Sequence, residues 1–148
     1  MKETYDNTKL NEPINRVISM IEIIQTDNYK LKLRASIQST GRLGFTEETI
    51  KSLELCEGKY VRFGKEGNMF YMSIHNSEVE NSFPVIKYGK YFYISTKLMF
   101  DDQKIDYKSK TILFDLARYT DGDTVMGGAT YRMEMRILDK KRKEAAMS

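Results

Sequence analysis

From Tyr29 onward the sequence alternates with a period of two: Tyr29, Leu31, Leu33, Ala35 and Ile37 fall on one face, Lys30, Lys32, Arg34 and Ser36 on the other. Successive strand side chains point to opposite faces, so this spacing predicts a strand with one wet side and one apolar side that must be covered. Thr40-Gly41-Arg42 then reads as a turn and residues 43–45 as a returning strand, making a hairpin. Thr46-Glu47-Glu48 opens a short helix: the Thr hydroxyl caps exposed N–H groups, the two Glu sit near the positive end of the helix dipole, and Ile50 and Leu53 form the buried face. Glu57-Gly58 is a turn into a strand over 59–63, and a hairpin loop over 64–68 leads to a strand over 69–75.

Upstream, Asn11-Glu12-Pro13 followed by Ile14, Val17, Ile18 and Ile21 places a cap, a first-turn proline and apolar residues at helical spacing. This predicts a helix over 12–25, its strip continued by Met20 and Ile24, packing on the sheet or on a second copy of itself. Residues 76–82 are polar and aperiodic, which makes them the best linker. After them come a second hairpin (83–87 and 91–94 around Tyr88-Gly89-Lys90), a helix over 96–100 and a strand over 111–116. A loop over 120–128 and a last strand over 130–138 follow. The order of elements repeats, with Gly41-Arg42 beside Gly89-Lys90 and Val61-Arg62-Phe63 beside Ile112-Leu113-Phe114.

The expected fold class is therefore α+β and mainly antiparallel. Two related hairpin–helix–strand units form a barrel-like or sandwich core, with one N-terminal helix. The segments are 1–28 (N-terminal helix), 29–76 and 83–138 (the β-rich units) and 139–148 (a polar tail), within one compact domain overall.

Residues 45–63, running from Phe45-Thr46-Glu47-Glu48 through Leu53-Glu54-Leu55-Cys56-Glu57-Gly58 to Val61-Arg62-Phe63, resemble the core of AbrB/SpoVT-type swapped-hairpin domains. Leu53, Leu55, Glu57-Gly58, Val61 and Phe63 stand where that pattern wants them. Thr46 replaces its proline, Glu54 its glycine and Lys59 its turn aspartate. The resemblance implies a DNA-binding half-barrel whose DNA-facing residues come from the hairpin before the helix, here Lys30, Lys32, Arg34 and Arg42, acting as a dimer. Four cations on one ribbon suit phosphates or base edges. Lys30, Lys32 and Arg34 also read simply as the solvated face of an amphipathic strand, discouraging edge pairing.

The net charge of +3 is mild, but it is uneven: residues 1–28 hold three basic and five acidic side chains, residues 29–66 eight and five. No apolar run approaches the length of a membrane span, and residues 1–6 lack the pattern of a signal peptide, so the expected compartment is the cytoplasm, without a membrane partner. Cys56 is the one cysteine and His75 the one histidine. A zinc set or a Cys/His or Ser/His catalytic pair would have to come from these single copies, and Cys56 is expected to be a small apolar filler.

Tyr88, Tyr91, Phe92 and Tyr93 interleave with Lys87 and Lys90, which suits stacking of single-stranded nucleic acid, although cross-strand aromatic pairing explains the same residues. Asp101, Asp102 and Asp106, and Asp121 with Asp123, lack the ligand spacing of a cation loop and read as turn chemistry. Lys140-Lys141-Arg142-Lys143 reads as a solubilising tail. Two functions stay open: a non-enzymatic DNA-binding regulator or accessory factor, or a protein-interaction or structural module that binds no nucleic acid. Neither reading assigns a catalytic residue, a cofactor or a metal.

Overall fold

The computed structural model describes residues 20–26 and 32–140. The chain divides into two units, Met1–Lys30 and Leu31–Ser148. In the first, the predicted helix lies outside the described residues as far as residue 19. Its expected last turns are not helical: Met20 is in a turn, Ile21 in a bend, and residues 22–26 are irregular. Met20, Ile21, Ile23 and Ile24 are exposed there.

In the second unit the alternating segments become nine antiparallel strands. The first hairpin is β1 (Leu33–Ile37) and β2 (Leu43–Phe45), followed by helix α1 (Glu47–Leu53). Then come β3 (Tyr60–Glu66), β4 (Met69–His75), β5 (Ser82–Pro84), β6 (Ile86–Tyr88) and β7 (Tyr91–Ile94). Helix α2 (Lys97–Asp102), β8 (Lys110–Arg118), a 3-10 turn (Thr120–Gly122), helix α3 (Asp123–Met126) and β9 (Ala129–Asp139) complete the order. The strands form one sheet, β5-β3-β4-β9-β8-β1-β2-β7-β6. Its two edge strands, β5 and β6, are separated in the chain by Val85 alone, so the sheet has to curl until its edges meet, giving a nearly closed barrel. Val85 is buried, and its N–H donates to the Lys59 carbonyl at 2.9 Å.

The inward row follows from register. Ala35 lies opposite Phe114, which lies opposite Met135; Leu116 lies opposite Met133, which lies opposite Phe70. Helix α2 supplies the filling that the strands leave open. Phe100 is fully buried and stacks on Phe114 at 6.2 Å between ring centroids, while Phe70 meets it edge-on at 6.5 Å. Helix α1 is capped as its sequence predicts, Thr46 accepting from the Thr49 N–H, and it buries Thr49 and Leu53.

The polar stretch expected as a linker is instead a connection inside the sheet, because β5 begins at Ser82 and pairs with β3. The loop expected over 64–68 shrinks to a two-residue turn at Gly67-Asn68, since β3 runs on to Glu66 opposite Met69. Asp139, expected in the tail, ends β9 opposite Lys110; residues 141–148 lie outside the described residues. Cys56 is exposed rather than buried filler, because Leu55 takes the inward position and Cys56 opens the turn in which its carbonyl accepts from Lys59.

Two outcomes follow. Phe100→Ala removes the aromatic filling of the barrel and should lower unfolding free energy by about 3–5 kcal/mol in denaturant titration. Native Cys56 should react with a thiol reagent at close to the rate of the denatured chain.

Candidate nucleic-acid interface and a histidine groove

The β2–β7 ladder pairs Leu43 with Ile94 and Gly44 with Tyr93, so the hairpins β1-β2 and β6-β7 lie side by side as one four-stranded surface. Alternation assigns its faces. Leu43 and Ile94 are buried inward, and the outward set is Arg34, Ser36, Gly44, Tyr93, Ile86, Tyr91 and Tyr88.

Among the sequence-predicted cations, Lys30 lies outside the described residues and Lys32 is exposed. Arg34 sits opposite Asp115 on β8 and holds it, Nε to Oδ1 at 3.0 Å; Arg136 on β9 reaches the same carboxylate, Nε 3.0 Å from Oδ2. Burial pushes the Asp115 carboxyl up, but the Arg34 hydrogen bond and the charge of Arg136 outweigh it, and the carboxyl stays below its ordinary range. One acid shared by two guanidiniums leaves the cluster cationic. Arg42 lies over the Tyr93 ring, 4.3 Å from its centroid.

The aromatic segment and the basic strand, far apart in sequence, thus meet on one face. Tyr88 and Tyr91 are opposite each other in the β6-β7 hairpin, 72% and 71% exposed, so their rings are open to a ligand. Phe92 and Lys87 lie opposite each other on the inner side of the same hairpin, and Phe92 packs against the core. A groove of about 230 Å³ runs between Arg34 and Tyr91, lined also by Ser36, Gln38, Gly44 and Thr46. Gln38, Asp115 and Arg136 have no signal of their own in the sequence, because their roles come from neighbours on other strands.

A second groove, of about 570 Å³, lies beside His75 and is lined also by Glu54, Lys59, Asn76, Gly128 and Tyr131. Ser73 and His75 are neighbours on one face of β4, and Ser73 Oγ is 2.7 Å from His75 Nε2. Ser73 is wholly buried and does not line the groove, so the hydroxyl orients the imidazole instead of facing a substrate. Gly128 lets the loop cross the ring closely: a Cβ there would stand 2.9 Å from His75 Cε1. Arg62 ties two loops over this region, donating to the Met126 carbonyl at 2.8 Å and to the Glu80 carbonyl at 2.9 Å. Burial first, and then the charge of Arg62, lower the His75 pKa, which keeps the ring neutral at pH 7. The same-face spacing of Ser73 and His75 was the available sequence signal for this pair.

Three aspartates of the candidate cation loops pair locally. Asp101 accepts from Tyr107 and Lys97, Asp106 from Ser109, and Asp123 from Arg118. Among the described residues no group of three or more His, Cys, Asp or Glu is placed to hold a metal ion, and no helix is long and apolar enough to cross a membrane.

The unfolded chain takes a proton on His75 near its ordinary pKa of about 6.5, whereas the folded chain takes it only at lower pH. Stability should therefore fall as pH drops below about 6.5 and level off below the folded value; His75→Gln should remove that decline in thermal unfolding between about pH 7 and 5. No family model, curated protein or solved structure matches this chain, so a functional reading rests on the geometry of these two surfaces.

Proposed function

We propose that this chain is a non-enzymatic binding protein whose β1-β2-β7-β6 face takes single-stranded DNA. The observation that carries the reading is the β2–β7 ladder, which joins a cationic hairpin to an aromatic one. Exposed Tyr88 and Tyr91 offer rings for bases, while Lys32, Arg34 and Arg42 offer charge for phosphates. A single strand suits this surface better than a duplex: the hairpins lie within the sheet rather than projecting as a ribbon into a major groove.

The connections are consistent with the AbrB-type resemblance and with two related units. Helix α1 leads to β3, which pairs with β5 at the start of the second hairpin's run; helix α2 leads to β8, which pairs with β1 of the first hairpin. On the two-unit reading, each unit lends the strand after its helix to the other. Leu53, Leu55 and Val61 of the matching segment are buried, and Glu54, standing where that pattern has glycine, takes a left-handed φ of 53°. With both units in one chain, the reading needs no second copy to complete the barrel, and the cytoplasm remains the proposed compartment.

Fluorescence anisotropy with a labelled oligonucleotide tests the reading. Affinity should fall steeply with added salt, and Lys32→Ala or Arg42→Ala should each reduce the salt slope by about 0.7. Tyr91→Ala should weaken binding by roughly 5- to 150-fold, the loss of one stacked base, while shifting stability by no more than about 0.5 kcal/mol. Absence of salt-sensitive binding at micromolar protein would eliminate the proposal in favour of a protein-interaction module.

A further inference from the structure

The groove between Arg34 and Tyr91 has a composition that phosphate attraction alone does not require. Its floor is made of Ser36 and Gly44, which face each other across the β1-β2 ladder, with Leu113 opposite Ser36 on β8. Gln38 closes one end. Its backbone is held by the turn, the N–H donating to the Arg42 carbonyl and the carbonyl accepting from Gly41, both at 2.8 Å. Its carboxamide lies across Gly44: a Cβ at that position would come within 2.5 Å of Gln38 Nε2. Glycine at 44 is therefore a requirement of space, and what occupies the space is a planar donor–acceptor group. Gln38 is exposed, so this amide is open to a ligand.

We infer that this groove seats one unstacked base of the bound strand and that Gln38 reads its edge. The inference rests on the single-stranded DNA reading above and adds specificity to it. A volume near 230 Å³ suits one base. Tyr91 forms the wall on which the base stacks, and the terminal nitrogens of Arg34, which uses only Nε on Asp115, face the neighbouring phosphate. A glutamine carboxamide presents a donor and an acceptor in one plane, and adenine offers the matching acceptor and donor at N7 and N6. The preferred base is thus adenine.

The experiment compares homopolymeric dA, dC and dT oligonucleotides of equal length at one salt concentration, with wild type, Gln38→Ala and Gly44→Ala. Wild type should prefer dA by about 5- to 150-fold, the usual discrimination of one good bidentate contact. Gln38→Ala should level the three affinities with an unchanged salt slope and thermal midpoint. Gly44→Ala, whose methyl displaces the carboxamide, should level them too. Equal wild-type affinities, or a dA preference that survives Gln38→Ala, would overturn the inference while leaving single-strand binding standing. Failure of all three oligonucleotides to bind would remove both.

Discussion

The joining of β5 to β6 through one residue is the constraint on which the rest of this structure depends. Those strands are the two ends of a nine-stranded sheet, and a single buried residue, Val85, connects them. A sheet whose edges are covalent neighbours has to bend into a barrel, and the bend decides which side chains face inward. The edges that an open sheet would expose to pairing with other chains are brought together. Once the barrel is nearly closed its interior needs filling, and Phe100 from helix α2, stacked on Phe114 and edge-on to Phe70, does so. The hydrophobic effect stabilises the barrel, but its shape is set by connectivity.

Closure also sorts the polar groups. Arg34, Asp115 and Arg136 come from three strands and form one cluster on the outer face because β9, β8 and β1 are neighbours in the sheet. The carboxylate is partly shielded from water, so its interaction with two guanidiniums is stronger than that of an exposed pair. On the other side of the barrel's strand order, β4 carries Ser73 and His75 outward beneath loops that Arg62 fastens by backbone carbonyls. A neutral imidazole fits that site: a charged one would lie near Arg62 and lose its hydration. The two regions differ in kind, one a cationic open face and the other a covered polar pocket.

The open face joins charge and aromatic surface without a net charge that would attract nucleic acid from a distance. At +3 overall, long-range steering is weak, and affinity for a strand would come from contacts within the face: stacking on tyrosine, guanidinium to phosphate, and the amide of Gln38. The Arg42–Tyr93 stack holds one arginine in place before any ligand arrives, which reduces the entropy lost on binding.

Much of this was legible in the amino-acid sequence alone. Alternation located the hairpin strands, the Thr46 cap located α1, and the pattern around Tyr88-Gly89-Lys90 located the second hairpin, because these signals depend on local backbone geometry. Lys32, Arg34, Arg42 and the tyrosines could be named as candidates for the same reason. Local spacing could not tell that Cys56 points outward, that residues 76–82 join strands of one sheet, or that Arg34 is shared with Asp115. Nor could it pair Gln38 with Gly44 and Tyr91, or bring the two hairpins together. Those facts depend on which strands become neighbours, and neighbours in a barrel are chosen by closure and by burial of the common core. The sequence by itself determined the elements and their wet and dry faces; only the tertiary structure decided which faces were joined into a site.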